Sequence, residues 1–422
     1  MTVTVLLAGA DEPWETPLVR ALSASPGIAL TRRCVDVADA VATAASGQVR
    51  VALLTVGMRG LDTDVVRRIL DAGVQLVAVT DSDDAGAAAR AVALGMIATV
   101  AGDDVPAVVR AVVAADERRR SDQLDGFDDP EAPGPDGTER GRLIVVWGPT
   151  GAPGRSTVAL GVASETAGLG VPTLLIDADV YGGSVGQMLA MLDEVSGLLA
   201  AARSANTGRL DLDELGRHVR QINPTLRILT GLPRPDRWSA LRAGSFDAVL
   251  TVARQMAPVV VVDVGFNLEL DEELSFDTAA PRRNGATLAA LEQADDIIVV
   301  GSADPLGLAR LTRGIFGLRE AVPGAQLHVV VNKVRDSLGW SRAAITDTVH
   351  RLAGVSPSHF LPLDQSAVDR AWVSGRSLAE CARDSPLRVQ LTQLARTRTV
   401  APAGTAPREG ITRRRRRRDV TV

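Results

Sequence analysis

Lysine is nearly missing from this 422-residue chain: among 46 basic residues Lys333 is the single lysine, the rest being arginine. An excess of Ala, Gly, Val and Arg marks a GC-rich coding bias, which exchanges lysine for arginine without any functional demand. Cysteine is scarce too. Cys34 and Cys381 lie far apart in sequence, which excludes a disulfide framework and predicts a reducing, cytosolic setting. The four histidines lack metal-ligand spacing and receive no role. No apolar run reaches the ~18 residues that a membrane-spanning helix needs. The N-terminus, Met1-Thr-Val-Thr-Val-Leu-Leu, has no basic leader and reads as a strand. A net charge of −5 gives no global case for nucleic-acid binding. What is present, 46% hydrophobic and 23% charged residues, is enough to bury the cores of two or three domains.

The richest segment is Leu143-Ile-Val-Val-Trp147 followed by Gly148-Pro-Thr-Gly-Ala-Pro-Gly-Arg-Ser-Thr157. A buried strand enters a glycine-rich turn that opens a helix through 158–167. Helix-terminal N–H groups point outward and the helix dipole favours an anion there, so this layout binds phosphate. Against the pattern G-x-x-x-x-G-K-[ST], Gly154 is the second glycine and Ser156 the magnesium-ligating hydroxyl. Pro149 replaces the first glycine and Arg155 the lysine. Arginine keeps the charge in a bulkier fork, while Pro149 and Pro153 withdraw two N–H donors. A plain strand-to-helix turn without ligand is the competing reading of the loop taken alone.

Residues 1–115 alternate apolar strand runs (3–7, 28–31, 51–56, 74–80, 97–100) with helical segments, which predicts a parallel sheet covered on both faces. Five βα units of this size, with Leu53-Leu-Thr-Val-Gly-Met-Arg-Gly-Leu-Asp62, resemble a receiver (CheY-like) domain. That resemblance places a phosphoacceptor aspartate where Thr55 stands and a lysine where Ala101-Gly102-Asp103 stands; Asp11-Glu12 would be the remaining acidic pair. The expectation is a pseudo-receiver acting by protein contact; a plain flavodoxin-like domain is equally free of chemistry. Residues 116–140 read as an acidic Pro/Gly linker, with seven acids and no base between 121 and 139. Residues 141–396 read as the second α/β domain and 397–422 as a disordered tail ending in Arg413–Arg418.

Downstream of the loop come Thr173-Leu-Leu-Ile-Asp177-Ala-Asp179, then Val259-Val-Val-Val-Asp263, then His328-Val-Val-Val-Asn332-Lys333 and Phe360-Leu-Pro362-Leu-Asp364. Strand-end carboxylates of this kind lie at the sheet edge where ligands bind, and four apolar residues before Asp263 form a Walker B pattern. In order and spacing these segments resemble the MinD/ParA class of deviant-Walker P-loop ATPases across 141–395; with a pseudo-receiver ahead, the arrangement resembles the CpaE/TadZ branch, tied to Flp/Tad pilus assembly or septum-site determination.

The resemblance implies a larger P-loop NTPase domain with a mostly parallel sheet behind the receiver-like (βα)5 domain. It implies ATP and Mg²⁺ as cofactors. Gly151, Gly154, Arg155, Ser156 and Thr157 would cradle phosphates; Ser156, Asp177 and Asp263 would serve the metal; Asp179, with Arg155, would serve catalysis by orienting water; Asn332 and the backbone near Pro362 would hold the base. The family's signature lysine falls at Thr150, so both family lysines are replaced, and binding is expected to outlast fast hydrolysis. After Asp263 the family's Pro-rich switch is replaced by Val264-Gly265-Phe266, with an acidic segment following. Leu387, Leu391 and Leu394 read as the buried face of a packed last helix, and Met188, Leu189, Met191 and Leu192 as core.

Three functions follow as expectations: an ATP-closed homodimeric switch that positions a pilus, secretion or division machine through the pseudo-receiver; a non-hydrolysing scaffold on the same fold; and a partitioning ATPase whose tail contacts DNA. The chain would be cytoplasmic, recruited to the inner membrane face at a pole or septum, with no transmembrane segment. Arg413–Arg418 would contact anionic lipid or DNA, or lie solvated beside the acidic linker.

Overall fold

The computed structural model describes residues 2–9, 12–82, 84, 86–124, 140–191, 195–269 and 281–400. Asp11, residues 125–139, Leu192 and the Arg413–Arg418 run lie outside the described residues.

The first unit runs β1 (Val3–Ala8), α1 (Glu15–Ala24), β2 (Ile28–Cys34), α2 (Val37–Ala45), β3 (Val51–Thr55), α3 (Thr63–Asp71), β4 (Gln75–Thr80), α4 (Ala87–Ala93), β5 (Ala98–Ala101) and α5 (Val105–Leu124). Its five strands are all parallel in the order β2-β1-β3-β4-β5, a doubly wound flavodoxin-like sheet. Thr55 ends β3 buried, with its hydroxyl unpartnered. Helix α5 continues to 124, so residues 116–124 are helical where a linker was expected. Arg120 pairs with Asp116 one turn before it, and Arg119 Nε donates to the Gly73 carbonyl at 2.8 Å, which carries a polar helix past the core.

The second unit runs β6 (Arg142–Trp147), α6 (Arg155–Gly168), β7 (Thr173–Ala178), α7 (Val185–Met188), α8 (Gly197–Asn206), α9 (Leu212–His218), β8 (Arg220–Asn223), β9 (Leu226–Leu229), α10 (Ala243–Met256) and β10 (Val259–Val264). It continues through α11 (Gly285–Gln293), β11 (Asp296–Ser302), α12 (Pro305–Ala321), β12 (Leu327–Val334), α13 (Arg342–Ala353), β13 (His359–Pro362), α14 (Gln365–Ser374), α15 (Leu378–Cys381) and α16 (Pro386–Ala395). The sheet order is β13-β12-β11-β6-β10-β7-β9-β8, parallel except for β8 on β9. Side chains of β6 alternate between two cores. Leu143, Val145 and Trp147 join residues of α8, α10, α11 and α12, while Ile144 and Val146 join α6, α14 and α16. Helix α6 is buried along most of its length, and its small residues admit a neighbour: a Cβ on Gly161 would stand 2.6 Å from Leu391. Leu387, Leu391 and Leu394 are buried against it, as their helical spacing predicted. No helix among the described residues is long and apolar enough to cross a membrane.

The two units meet where α3 faces α10. Arg242 Nη1 donates to Asp62 Oδ2 at 3.0 Å, the Gly244 N–H donates to Asp64 Oδ1 at 3.0 Å, and Arg67 pairs with Asp247 and, at 3.6 Å, with Glu292. Burial at this contact pushes the Asp247 carboxyl up to about 6 in spite of the facing Arg67.

Candidate functional site

The sheet order assembles the site. β10 lies between β6 and β7, with Asp263 in register with Asp177 on one side and Val146 on the other. The glycine loop after β6, Asp263 ending β10 and the Asp177–Asp179 pair ending β7 therefore share one sheet edge, the place where open α/β sheets bind ligands. β11 and β12 bring Asn332 to the same edge, in register with Ser302.

The loop takes conformations that its glycines permit. Gly151 and Gly154 have φ of 103° and 98°, and a Cβ on Gly154 would stand 2.4 Å from the Asn332 side-chain nitrogen. Of the three non-glycine residues in the left-handed region among the described residues, two meet here, Ala152 at φ 50° and Lys333 at φ 61°, each at a cost of ~1–2 kcal/mol. They hold one another: the Lys333 ammonium donates to the Ala152 carbonyl at 2.7 Å, and Asn332 Nδ2 donates to the Pro153 carbonyl at 2.8 Å. The strand end thus clamps the loop through two of its carbonyls.

A cavity of about 330 Å³, at the lower end of the range for small-ligand sites, opens over the start of α6. Gly154, Arg155, Ser156, Thr157, Asp179, Asn332 and Pro362, all anticipated from the sequence, line it. Met188, Val368, Trp372 and Leu387 add apolar side chains to the same lining. Gly151 stands at the exposed loop tip, away from this lining.

Asp177 and Asp263 lie beneath the cavity, almost without solvent contact. Asp177 Oδ2 accepts from the Val185 N–H at 3.0 Å and Oδ1 from the Asp179 N–H at 3.4 Å. A Cβ on Gly231 or Gly183 would press within 3 Å of the Asp177 carboxylate, so bare backbone closes over it. Burial raises the Asp177 carboxyl to about 7, the Asp179 charge adding to the rise and backbone N–H groups opposing it. Asp263 is likewise raised well above the usual carboxylate range by burial and by Asp177, with the Ser156 hydroxyl and Arg155 acting the other way. The Ser156 hydroxyl faces Asp263, yet neither Asp263 oxygen has a partner at hydrogen-bonding distance and angle among the described residues. A native protein rarely leaves such a group unpaired, and a cation is what two unpaired carboxylate oxygens fit. Among the described residues no group of three or more His, Cys, Asp or Glu could hold a metal.

Arg155 does not reach freely over the loop, as the sequence pattern implied. Its Nη2 donates to Asp179 Oδ2 at 3.2 Å, and its Nη1 donates to the carbonyls of Gly148 and Pro149 at 3.2 and 3.3 Å. Its guanidinium carbon also lies 5.9 Å from the Phe266 ring centre. The Val264-Gly265-Phe266 turn packs on Tyr181, the rings 4.8 Å apart, and the Tyr181 hydroxyl donates to Asn284 Oδ1 at 2.7 Å. Sequence reading missed this aromatic bracket, and it missed Trp372; the only tyrosine of the chain, two residues after Asp179, was the available signal.

No family model matches the chain, and no curated protein matches it. Solved structures do. A ParA family ATPase from Chlorobium tepidum TLS aligns at 17% identity over 60% of this chain and 98% of that one, with a TM-score of 0.51. The cell division ATPase MinD of Pyrococcus furiosus aligns at 15% identity over 60% and 97%, TM-score 0.46. The septum site-determining protein MinD of Pyrococcus horikoshii OT3, complexed with Mg-ADP, aligns at 15% identity over 61% and 95%, TM-score 0.46. At such identity the first of these establishes a shared P-loop α/β fold for the second unit.

Proposed function

We propose that this chain is an ATP-binding, slowly hydrolysing switch of the MinD/ParA kind, which pairs with a second copy on binding ATP and positions a cellular machine. The observation that carries this reading is Asp263: a buried carboxylate with both oxygens unpaired, beneath a glycine loop and beside Asp177 and Asp179. Ser156 and Asp263, with Asp177 behind them, would hold Mg²⁺, and the N–H groups opening α6 would take the phosphates. The bound metal would neutralise phosphate charge during transfer. Asp179 would orient the attacking water, Asn332 and the Pro362 backbone would meet the base, and Arg155 would add positive charge beside Asp179. The fold shared with the Chlorobium ParA family ATPase supports a positioning or partitioning role. The first unit, as a pseudo-receiver, would choose the address, a pilus, secretion or division assembly at a pole or septum.

A second reading, a scaffold that holds nucleotide without turning it over, is favoured by the Arg155–Asp179 contact, since the two groups assigned to catalysis occupy each other. The test is ATP binding and turnover by the purified chain with Mg²⁺, beside Asp179→Ala and Ser156→Ala. Turnover lost in Asp179→Ala supports the switch. Binding without turnover supports the scaffold, and absence of binding overturns both.

A further inference from the structure

Helix α12 carries two arginines on the face that looks back at the glycine loop. They border a second cavity of about 870 Å³ that Pro149, Thr150, Phe266 and Glu292 also line. The helix approaches closely because of Gly314, where a Cβ would stand 2.9 Å from the Trp147 ring and 3.2 Å from Pro149. One turn earlier on the same face is Arg310. Its guanidinium rests on Gly151 so closely that a Cβ there would stand 2.2 Å from Nη1 and 3.2 Å from Cζ. Two missing side chains, at 314 and 151, thus permit one contact: a half-buried guanidinium set down on the loop tip.

Arg310 makes no hydrogen bond or ion pair among the described residues, unlike Arg155, which is held by Asp179 and two loop carbonyls. A partly desolvated cation without a partner, placed against a phosphate-binding loop, has an anion as its natural complement. The placement also says which anion. Gly151, with Arg310 on it, belongs to the phosphate-binding loop but lies outside the lining of the first cavity. In a nucleotide whose phosphates sit on the N–H groups that open α6, the phosphate farthest from the base is the one free to reach beyond that lining, and a diphosphate is one phosphate shorter.

We infer that Arg310 contacts the terminal phosphate of a nucleoside triphosphate on the 148–157 loop and so makes the site discriminate triphosphate from diphosphate. This inference rests on the nucleotide-binding reading above and adds to it a residue 155 positions from the loop's own arginine.

The experiment is equilibrium binding of ATP and of ADP, each with Mg²⁺, to the full chain by titration calorimetry, for wild type, Arg310→Ala, Arg310→Lys and Arg313→Ala. Losing one charge-assisted contact weakens ATP by roughly 10- to 100-fold. The expected result is that loss in Arg310→Ala, with ADP affinity changed less than about threefold, partial recovery in Arg310→Lys, and no comparable loss in Arg313→Ala. Equal weakening of ATP and ADP, no weakening of either, or the same loss in Arg313→Ala overturns the inference while the nucleotide reading stands. A wild type that binds neither nucleotide overturns both. Unchanged circular dichroism of Arg310→Lys separates a lost contact from a lost fold.

Discussion

Asp263→Asn exchanges a buried carboxylate for a neutral side chain of the same shape, and its effect should change sign with ligand. In the free protein both Asp263 oxygens lack partners and the charge of Asp177 lies alongside. An unsatisfied buried polar group costs about 1–3 kcal/mol, and the amide stays neutral at every pH and offers N–H donors to the neighbouring carboxylate. D263N without nucleotide should therefore melt roughly 2–10 °C above wild type. With Mg²⁺ and ATP at about 100 times the dissociation constant, wild type gains ~2.7 kcal/mol of stability. The variant, which has lost the metal ligand, should gain almost none, so the order of the melting temperatures reverses. The pH dependence carries the same sign. A carboxyl raised above its ordinary value of about 4 keeps its proton in the folded state and loses it in the unfolded one. Its contribution to stability therefore falls as pH rises from about 4 toward the folded value, and D263N should flatten that fall. Differential scanning calorimetry with and without Mg²⁺ and ATP, at pH 5 and pH 8, measures all three effects. A variant less stable than wild type in the absence of ligand refutes the idea that Asp263 is kept for a cation.

Mg²⁺ should compete with protons here. Because Asp177 titrates at about 7, Mg·ATP affinity should fall as pH drops from 8 to 6, and calorimetry in two buffers of different ionisation enthalpy should register released protons; affinity that is flat across this range argues against metal contact with the pair. Gly154→Ala forces a side chain into a left-handed residue 2.4 Å from Asn332 and should destabilise the chain by ~1–3 kcal/mol while abolishing nucleotide binding, read by thermal melting and titration. Gly244→Val places a branched side chain where even a Cβ lies 2.7 Å from Asp64 Oδ1, so the two units should part; an unchanged radius of gyration in small-angle scattering contradicts that.

The strands that build the site were legible because they are buried on both faces and spelled as apolar runs, as Val259–Val262 and Leu174–Ile176 are. The carboxylates and the loop could be placed at the strand ends for the same reason. What stayed hidden was lateral order. That β10 inserts between β6 and β7, setting Asp263 against Asp177 and Val146, depends on pairing between residues 86 and 117 positions apart and leaves no local trace. Strands β8 and β9 were missed because both are only four residues long; Arg220–Asn223 is largely polar at the sheet edge, and Leu226–Leu229 is too short an apolar run to read as a strand. The last turns of α5 were missed because Asp116–Arg120 has the composition of a linker. Arg310 was invisible as one arginine in an amphipathic helix; only the two glycines, distant in sequence, reveal where its guanidinium rests.

The clamp at the strand end has a practical corollary. Lys333 is the only lysine of the chain, and its ammonium donates to the loop carbonyl of Ala152 at 2.7 Å. An amine-directed reagent therefore meets, apart from the α-amino group, one side chain, and that side chain reacts faster once it has let go of the loop. Its labelling rate is a built-in clock for the opening of the loop, readable in a cell extract by mass spectrometry without any engineered probe.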